Sequence, residues 1–396
     1  MNERATGRWG ARSWLSGRTR ASATAVAALG AAGLLAAGAL ATGIWPAPAA
    51  RYAASRTAGH ELTRDSARPP SLFANLVLFS GGGYGPLQVR RAPTGALISS
   101  DLAGSGAAGL AAYGDGRDLV IAKPEGARCA TRLYRLRLSP RGVPGPLTPV
   151  GGPLRGAVSS LAASANGQVI AYTLRGCDKG QPGYLRVLDV RTGRIRQWTG
   201  LSIAGISPGR VAISGALSLS ASGALLAFPA LDTTVGGRVT AQVVRVLRTG
   251  AAAGPVVARS RVVVRGPVAG PNLQGVAISR DGGSFYLCSV RASRNRRVTT
   301  VTWRGTATGR TRRTVATLAA TGPTSGQQEL GCPLALATSG SYLLVPYAVR
   351  YPKDPAGAPE IGLARIGLAA GRVTRLAFAL PATGGSDQAV SVVTGW

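Results

Sequence analysis

Along most of this chain apolar and polar positions alternate in short runs, and the runs break at glycine. One series of such runs is LAAYGDG (Leu110–Gly116), LAASANG (Leu161–Gly167), LSLSASG (Leu217–Gly223), VAISRDG (Val276–Gly282) and LALATSG (Leu334–Gly340). In each copy the first apolar residue and the last glycine stand six apart, and a second apolar run follows: DLVIA, VIAYTL, LLAF, SFYLC and YLLVPY. A period of two turns one side of a strand inward, and glycine supplies the positive φ of a tight hairpin. Each copy therefore predicts two antiparallel strands joined by a short turn.

A second series keeps step with the first. Strands ending in a glycine turn run to Gly193 (LRVLDVRTG), Gly250 (QVVRVLRTG), Gly309 (TVTWRGTATG) and Gly371 (GLARIGLAAG), with a looser copy, YRLRLSPRG, ending at Gly142. The two glycines of a unit, such as 116 and 142 or 340 and 371, are 26 to 31 residues apart. Two turn series in register over five copies predict a repeated unit of four antiparallel strands, a to d, which is one blade of a β-propeller. The ends of the chain complement each other. FANLVLFSG, LQVRRAPTG and ALISSDL supply strands b, c and d, and the last residues, AVSVVTGW, supply strand a. Joined, they make a composite blade that closes the ring and removes an open sheet edge. The expected fold is an all-β, six-bladed propeller over residues 72–396. A seventh, degenerate blade within residues 224–272 is the alternative.

The turn Ser279-Arg280-Asp281-Gly282 and the segment Leu185–Gly193 resemble the blade hallmarks of TolB-like and other WD-repeat-like propellers. The other four turns (YGDG, SANG, SASG, ATSG) depart from the Ser-x-Asp-Gly pattern, and the His and Trp-Asp signatures of true WD repeats are absent. The resemblance implies a disc-shaped binding scaffold and names no ligand.

The N-terminus follows a different pattern. Arg4, Arg8, Arg12, Arg18 and Arg20 precede an uncharged stretch from Ala21 to Ile44 that ends at Trp45. A helix of that length spans roughly 30 Å of hydrocarbon. The basic flank stays in the cytoplasm and sends the rest of the chain outward. The expected order is a basic tail (1–20), a transmembrane signal anchor (21–45), a linker (46–71) and the propeller. A cleaved signal peptide competes: Ala47-Pro48-Ala49 offers small residues at a cleavage site, which would release a secreted propeller. The length of the apolar stretch favours retention; its modest, Ala/Gly-rich hydropathy favours cleavage. Both readings export the propeller.

The chain has 46 Lys and Arg against 15 Asp and Glu, a formal charge of +31. Lys123, Lys179 and Lys353 are the only lysines. Arginine in place of lysine is what a GC-rich bacterial genome produces by codon bias, but bias does not explain the scarcity of acids. Such a surface attracts polyanions. Outside the membrane these are envelope components and not nucleic acid. Arg291, Arg294, Arg296 and Arg297 form a candidate binding cluster in or near a b–c loop, suited to phosphate or carboxylate groups. Nothing calls for an oligomer, so a monomer is expected.

Four cysteines in an exported domain invite pairing. Cys129 and Cys177 follow strand b in neighbouring blades; Cys288 lies late in strand b, and Cys332 at the start of strand a in the next blade. The expected bonds are Cys129–Cys177 and Cys288–Cys332. No CxxC spacing exists, so neither a metal nor any other cofactor is expected. The single histidine, His60, lies in the linker, which leaves nucleophilic catalysis without a base. Gly104–Gly109 matches GxGxxG, but a strand follows it where a nucleotide-binding turn would open a helix. The expected function is a non-catalytic binding or scaffold module for a protein or an anionic envelope component. The alternative is an exported propeller enzyme, a hydrolase or lyase using acids from different blades.

Overall fold

A computed structural model describes residues 72–395, apart from 80–83, 92–93, 101–108, 126–128, 178–180, 182, 203–209, 235–236, 294–295, 322–331, 333, 338–339, 351–359 and 381–387. The strands of the N-terminal part are β1 (Leu72–Phe79), β2 (Tyr84–Arg91) and β3 (Leu97–Ser100). They are followed by β4 (Gly109–Tyr113), β5 (Asp118–Glu125), β6 (Ala130–Arg137) and β7 (Thr148–Arg155). Next come β8 (Ala157–Ala163), β9 (Val169–Arg175), β10 (Gly183–Asp189) and β11 (Ile195–Leu201). The middle of the chain holds β12 (Val211–Ile213), β13 (Ser218–Leu219), β14 (Leu225–Thr233), β15 (Val239–Arg248) and β16 (Gly254–Pro255), the one-turn helix α1 (Val256–Arg259) and β17 (Ser260–Gly266). After them run β18 (Asn272–Ile278), β19 (Ser284–Ser293), β20 (Arg296–Gly305) and β21 (Thr311–Thr321). The last are β22 (Ala335–Leu336), β23 (Tyr342–Arg350), β24 (Glu360–Gly367), β25 (Val373–Leu380) and β26 (Gln388–Gly395).

These strands form an all-β, propeller-like arrangement. Strand β26 pairs antiparallel with β1, from Phe73 opposite Gly395 to Phe79 opposite Gln388, so the first blade is built from both ends of the chain. Strand β26 also touches β22 on one side and β4 on the other, which closes the arrangement.

The blade count corrects the expectation of six. Among the described residues there are four four-stranded sheets and one sheet of ten strands. The third and fourth predicted units run together in that wide sheet. They are joined by a parallel bridge between Leu201 and Val211 and by β16, which pairs in parallel with β11. Pro229 lies where the innermost strand of the second of these units breaks. Its carbonyl accepts a bond from Ser214 N, but proline has no N–H to return. The innermost strand of that unit splits there into β12 and β13, and β12 moves out to reach β11.

Alternation along the central strands explains how the sheets stack. In β5, Leu119 and Ile121 pack with Leu87 and Val89 of the first blade, while Val120 and Ala122 pack with Ile170 and Tyr172 of the next sheet. In β19, Phe285 and Leu287 face Val244 and Val246, while Tyr286 and Cys288 face Leu343 and Val345. A strand buried on both faces reads as a continuous apolar run, which is why DLVIA and SFYLC lack polar interruptions. The sheets come close enough that side chains are excluded at some positions. A Cβ at Gly309 would collide with Val263 O, and Gly309 also needs φ +67° for its turn. Of the second glycine series only Gly250 lacks a positive φ.

One buried charge is met locally by two partners. Asp232 on β14 accepts from Arg245 of β15 at 2.8 Å and from Arg265 of β17 at 2.9 Å, with the Arg245 side chain 5% exposed. Removing one partner leaves the other charged and desolvated. Urea unfolding of Asp232→Ala is expected to show a loss of about 3–5 kcal/mol, largely recovered when Asp232→Leu is combined with Arg245→Leu. A loss below about 1 kcal/mol for Asp232→Ala would contradict this role.

Candidate functional site

The innermost strands place their turns around a common axis. Each a–b turn closes with the same bond, from the glycine N–H to the carbonyl three residues earlier: Gly116 to Tyr113, Gly167 to Ser164, Gly223 to Ser220, Gly282 to Ser279 and Gly340 to Ala337. Consecutive turns are tied to one another. Gly114 N donates to Ala165 O at 2.6 Å, Ala165 N to Ala221 O at 3.0 Å, and Ala221 N to Arg280 O at 3.0 Å. The serines that begin these turns are consumed by the turn. Val169 N, Leu225 N and Ser284 N donate to the Oγ atoms of Ser164, Ser220 and Ser279. Asp281 Oδ1 accepts from Ser279 Oγ and Gly283 N. The Ser-x-Asp-Gly motif is thus spent on local geometry.

A cavity of 170 Å³ lies among these inner strands, lined from β4, β8, β13, β18 and β22 and their turns. Its described walls are small and apolar, with Leu110, Ala163 and Leu336 among them, and Arg280 is the one charged residue among the described residues that line it. Those described residues include no carboxylate, imidazole or thiol. Burial pushes the Tyr113 hydroxyl, also at this wall, above its ordinary range, so it remains a neutral phenol. Outside the cavity, the hydrogen bond from Arg117 holds the Asp115 carboxyl below its usual range. Such a cavity can exclude water and hold a neutral or anionic group against Arg280. It offers no group for proton transfer near neutral pH. Among the described residues no group of three His, Cys, Asp or Glu side chains could hold a metal.

The arginine cluster expected from the sequence is only partly assembled. Arg291 and Arg296 are exposed beside the β19–β20 hairpin, where Ser293 pairs with Arg296 and Arg291 with Val298. Arg297 alternates to the other side and is buried, opposite Ala292 and Ala320. Arg294 lies outside the described residues. The span 21–45 and His60 lie outside them too; among those described, no helix is long and apolar enough to cross a membrane.

Other arginines have a use that the sequence reading missed. Arg196 Nη1 donates to Thr249 O at 2.8 Å, and Arg261 Nη2 to Thr306 O at 2.8 Å. Arg313 reaches Leu368 O and Ala369 O in the same manner. Each arginine belongs to an outer strand and ties it to the c–d turn of the next unit. The signal was their common position, at the second or third residue of the outer strand of a unit.

The cysteines split into two cases. Cys288 and Cys332 form a disulfide with Cα atoms 6.0 Å apart, joining β19 to the residues before β22. Gly275 permits this approach, because a Cβ there would collide with Cys332 O. The expected Cys129–Cys177 bond is not formed. The two residues are neighbours, but Cys177 Sγ donates to Cys129 O at 2.9 Å. Cys129 is held at φ +46°, the left-handed region, and its carbonyl also accepts from Gly156 N. That turned backbone directs the carbonyl, rather than the sulfur, at Cys177.

The topology defines a closed, propeller-like all-β protein. No protein-family model and no curated protein matches the sequence. Among solved structures the chain is similar to TolB from Acinetobacter baumannii, at 14% identity and a TM-score of 0.48, over 82% of this chain and 67% of that one. It is also similar to a functionally unknown protein from Desulfotomaculum acetoxidans, at 11% identity and a TM-score of 0.43, over 82% of this chain and 100% of that one. A third is an oligogalacturonate lyase in complex with manganese, at 13% identity and a TM-score of 0.40, over 80% of this chain and 76% of that one. At these values no functional conclusion follows from the likeness.

Peptide mapping of the purified chain without reduction should recover the Cys288–Cys332 link and alkylated Cys129 and Cys177. Cys288→Ser should cost about 4 kcal/mol, the loop entropy expected for a separation of 44 residues. A Cys129–Cys177 link, or one from Cys129 to Cys288, would contradict the structure.

Proposed function

We propose that the propeller is a non-catalytic binding module, held outside the cytoplasmic membrane by residues 21–45, that engages a protein or an anionic envelope component. The observation that carries this reading is the lining of the central cavity: among the described residues, small apolar walls, one guanidinium at Arg280, and no acid or base for chemistry. The few acids of the a–b turns are engaged locally, Asp115 by Arg117, Asp118 by Arg137, and Asp281 by its own turn. Cross-blade acid catalysis needs a pair of carboxylates facing a common space, and this lining provides none. The formal charge of +31 favours an acidic partner, and the arginines that are not tied between sheets remain available to meet it.

Affinity capture with the full-length chain from detergent-solubilised native envelopes tests the proposal. The expected result is specific enrichment of an envelope protein or polymer, released by raised salt if the contact is ionic. Absence of any enrichment over an unrelated protein of equal charge would overturn it, as would turnover of an envelope component by the purified chain.

A further inference from the structure

The face that carries the a–b and c–d turns bears an exposed arginine at the c–d turn of every unit. They are Arg91, Arg141, Arg194, Arg248, Arg310 and Arg372. None of these six side chains has an ion pair or hydrogen bond among the described residues, unlike the tethering Arg196, Arg261 and Arg313. The aliphatic exposure is not spread evenly either. Among the described residues five large hydrophobic side chains are exposed, and three of them stand on the first three of these turns: Leu97 at 51%, Val143 at 55% and Ile195 at 45%. Each is within six residues of its turn's arginine. The other two lie elsewhere, Val257 in α1 beside β11 and Val268 in the link from β17 to β18.

We infer that the arc formed by these three turns is a docking surface for an anionic lipid bilayer. The inference rests on the reading of the propeller as an exported module tethered at a membrane. The turns are short hairpin ends on one side of the arrangement, and each presents a guanidinium beside an aliphatic tip. That pairing is the chemistry of interfacial binding: arginines meet headgroup phosphates, and the aliphatic tips enter the boundary with the acyl chains. A soluble polyanion accounts for the arginines alone, because exposed aliphatic tips gain nothing from a hydrated polymer. Single exposed aliphatics are ordinary on any protein surface. Here it is their placement, one on each of three consecutive arginine-bearing turns, that points to lipid. Docking would hold the disc's a–b/c–d side against the membrane and turn the b–c loops, with Arg291 and Arg296, away from it.

Hydrogen exchange on the full-length chain, reconstituted in nanodiscs of phosphatidylcholine alone or mixed with phosphatidylglycerol, tests this. Amides of the turns at Arg91, Arg141 and Arg194 should exchange roughly 25-fold more slowly, or slower still, in the phosphatidylglycerol discs, since two or more arginines contribute about fivefold each. The protection should vanish with Arg141→Glu plus Arg194→Glu, and also with Val143→Asp. It should persist with Arg155→Glu plus Arg175→Glu, which alter charge at the opposite edge. All these positions are exposed, so thermal unfolding should be unchanged. Equal exchange in both lipids would overturn the inference. So would protection by polyphosphate without lipid that survives Val143→Asp, which would name a polymer as the partner. If the turns stay unprotected while envelope capture still enriches a partner, the docking surface falls and the binding-module reading stands. The reverse outcome separates the two in the other direction.

Discussion

A sheet that is apolar on both faces cannot be left with either face in water, and that constraint governs this molecule. Each central strand sends alternate side chains into two different cores. Leu119 and Ile121 belong to one interface and Val120 and Ala122 to the next. No unit is complete without both neighbours, so stability is shared around the arrangement rather than stored in single blades. The first and last strands must therefore meet. The chain achieves this by lending β26 to the sheet that begins with β1. The belt of bonds from Gly114 through Ala165 and Ala221 to Arg280 fixes the inner edges, and the tethers from Arg196, Arg261 and Arg313 fix the outer ones.

Much of this was legible in the sequence because it follows from period-two patterning and from glycine. The inner and outer turn series, the composite first blade and the Cys288–Cys332 neighbourhood all depend on strand order. What escaped depends on atoms that a pattern does not display. The fusion into a ten-stranded sheet rests on parallel bridges from β11 to β12 and β16, which no period-two pattern displays. Cys129 and Cys177 were placed side by side correctly, yet the left-handed backbone at Cys129 sets the carbonyl between them. Arg297 was grouped with Arg291 and Arg296 by proximity in sequence, while the pleat sends it to the buried side.

The arginine excess resolves into separate uses. Some guanidiniums are internal fittings, such as Arg245 on Asp232 and the tethers to neighbouring turns. Others stand at turn tips with no ion pair or hydrogen bond from the guanidinium among the described residues. A codon bias would account for the choice of arginine over lysine. It does not explain why one set lies at equivalent outer-strand positions, nor why the exposed set shares its turns with aliphatic residues. Both distributions follow the geometry of the repeat. Of the candidate site, the glycine-closed inner turns were legible, but not which residues of the inner strands would line the cavity between them.

Closure is the claim on which the rest stands, and thermal unfolding of a chain ending at residue 387 measures it most directly. Removing β26 strips the first sheet of its innermost strand and uncovers the edges of β22 and β4 that it touches. The account predicts a fall in Tm of roughly 10 °C or more, or loss of a single cooperative transition, relative to the full chain. An unchanged Tm and an unchanged single transition would contradict it.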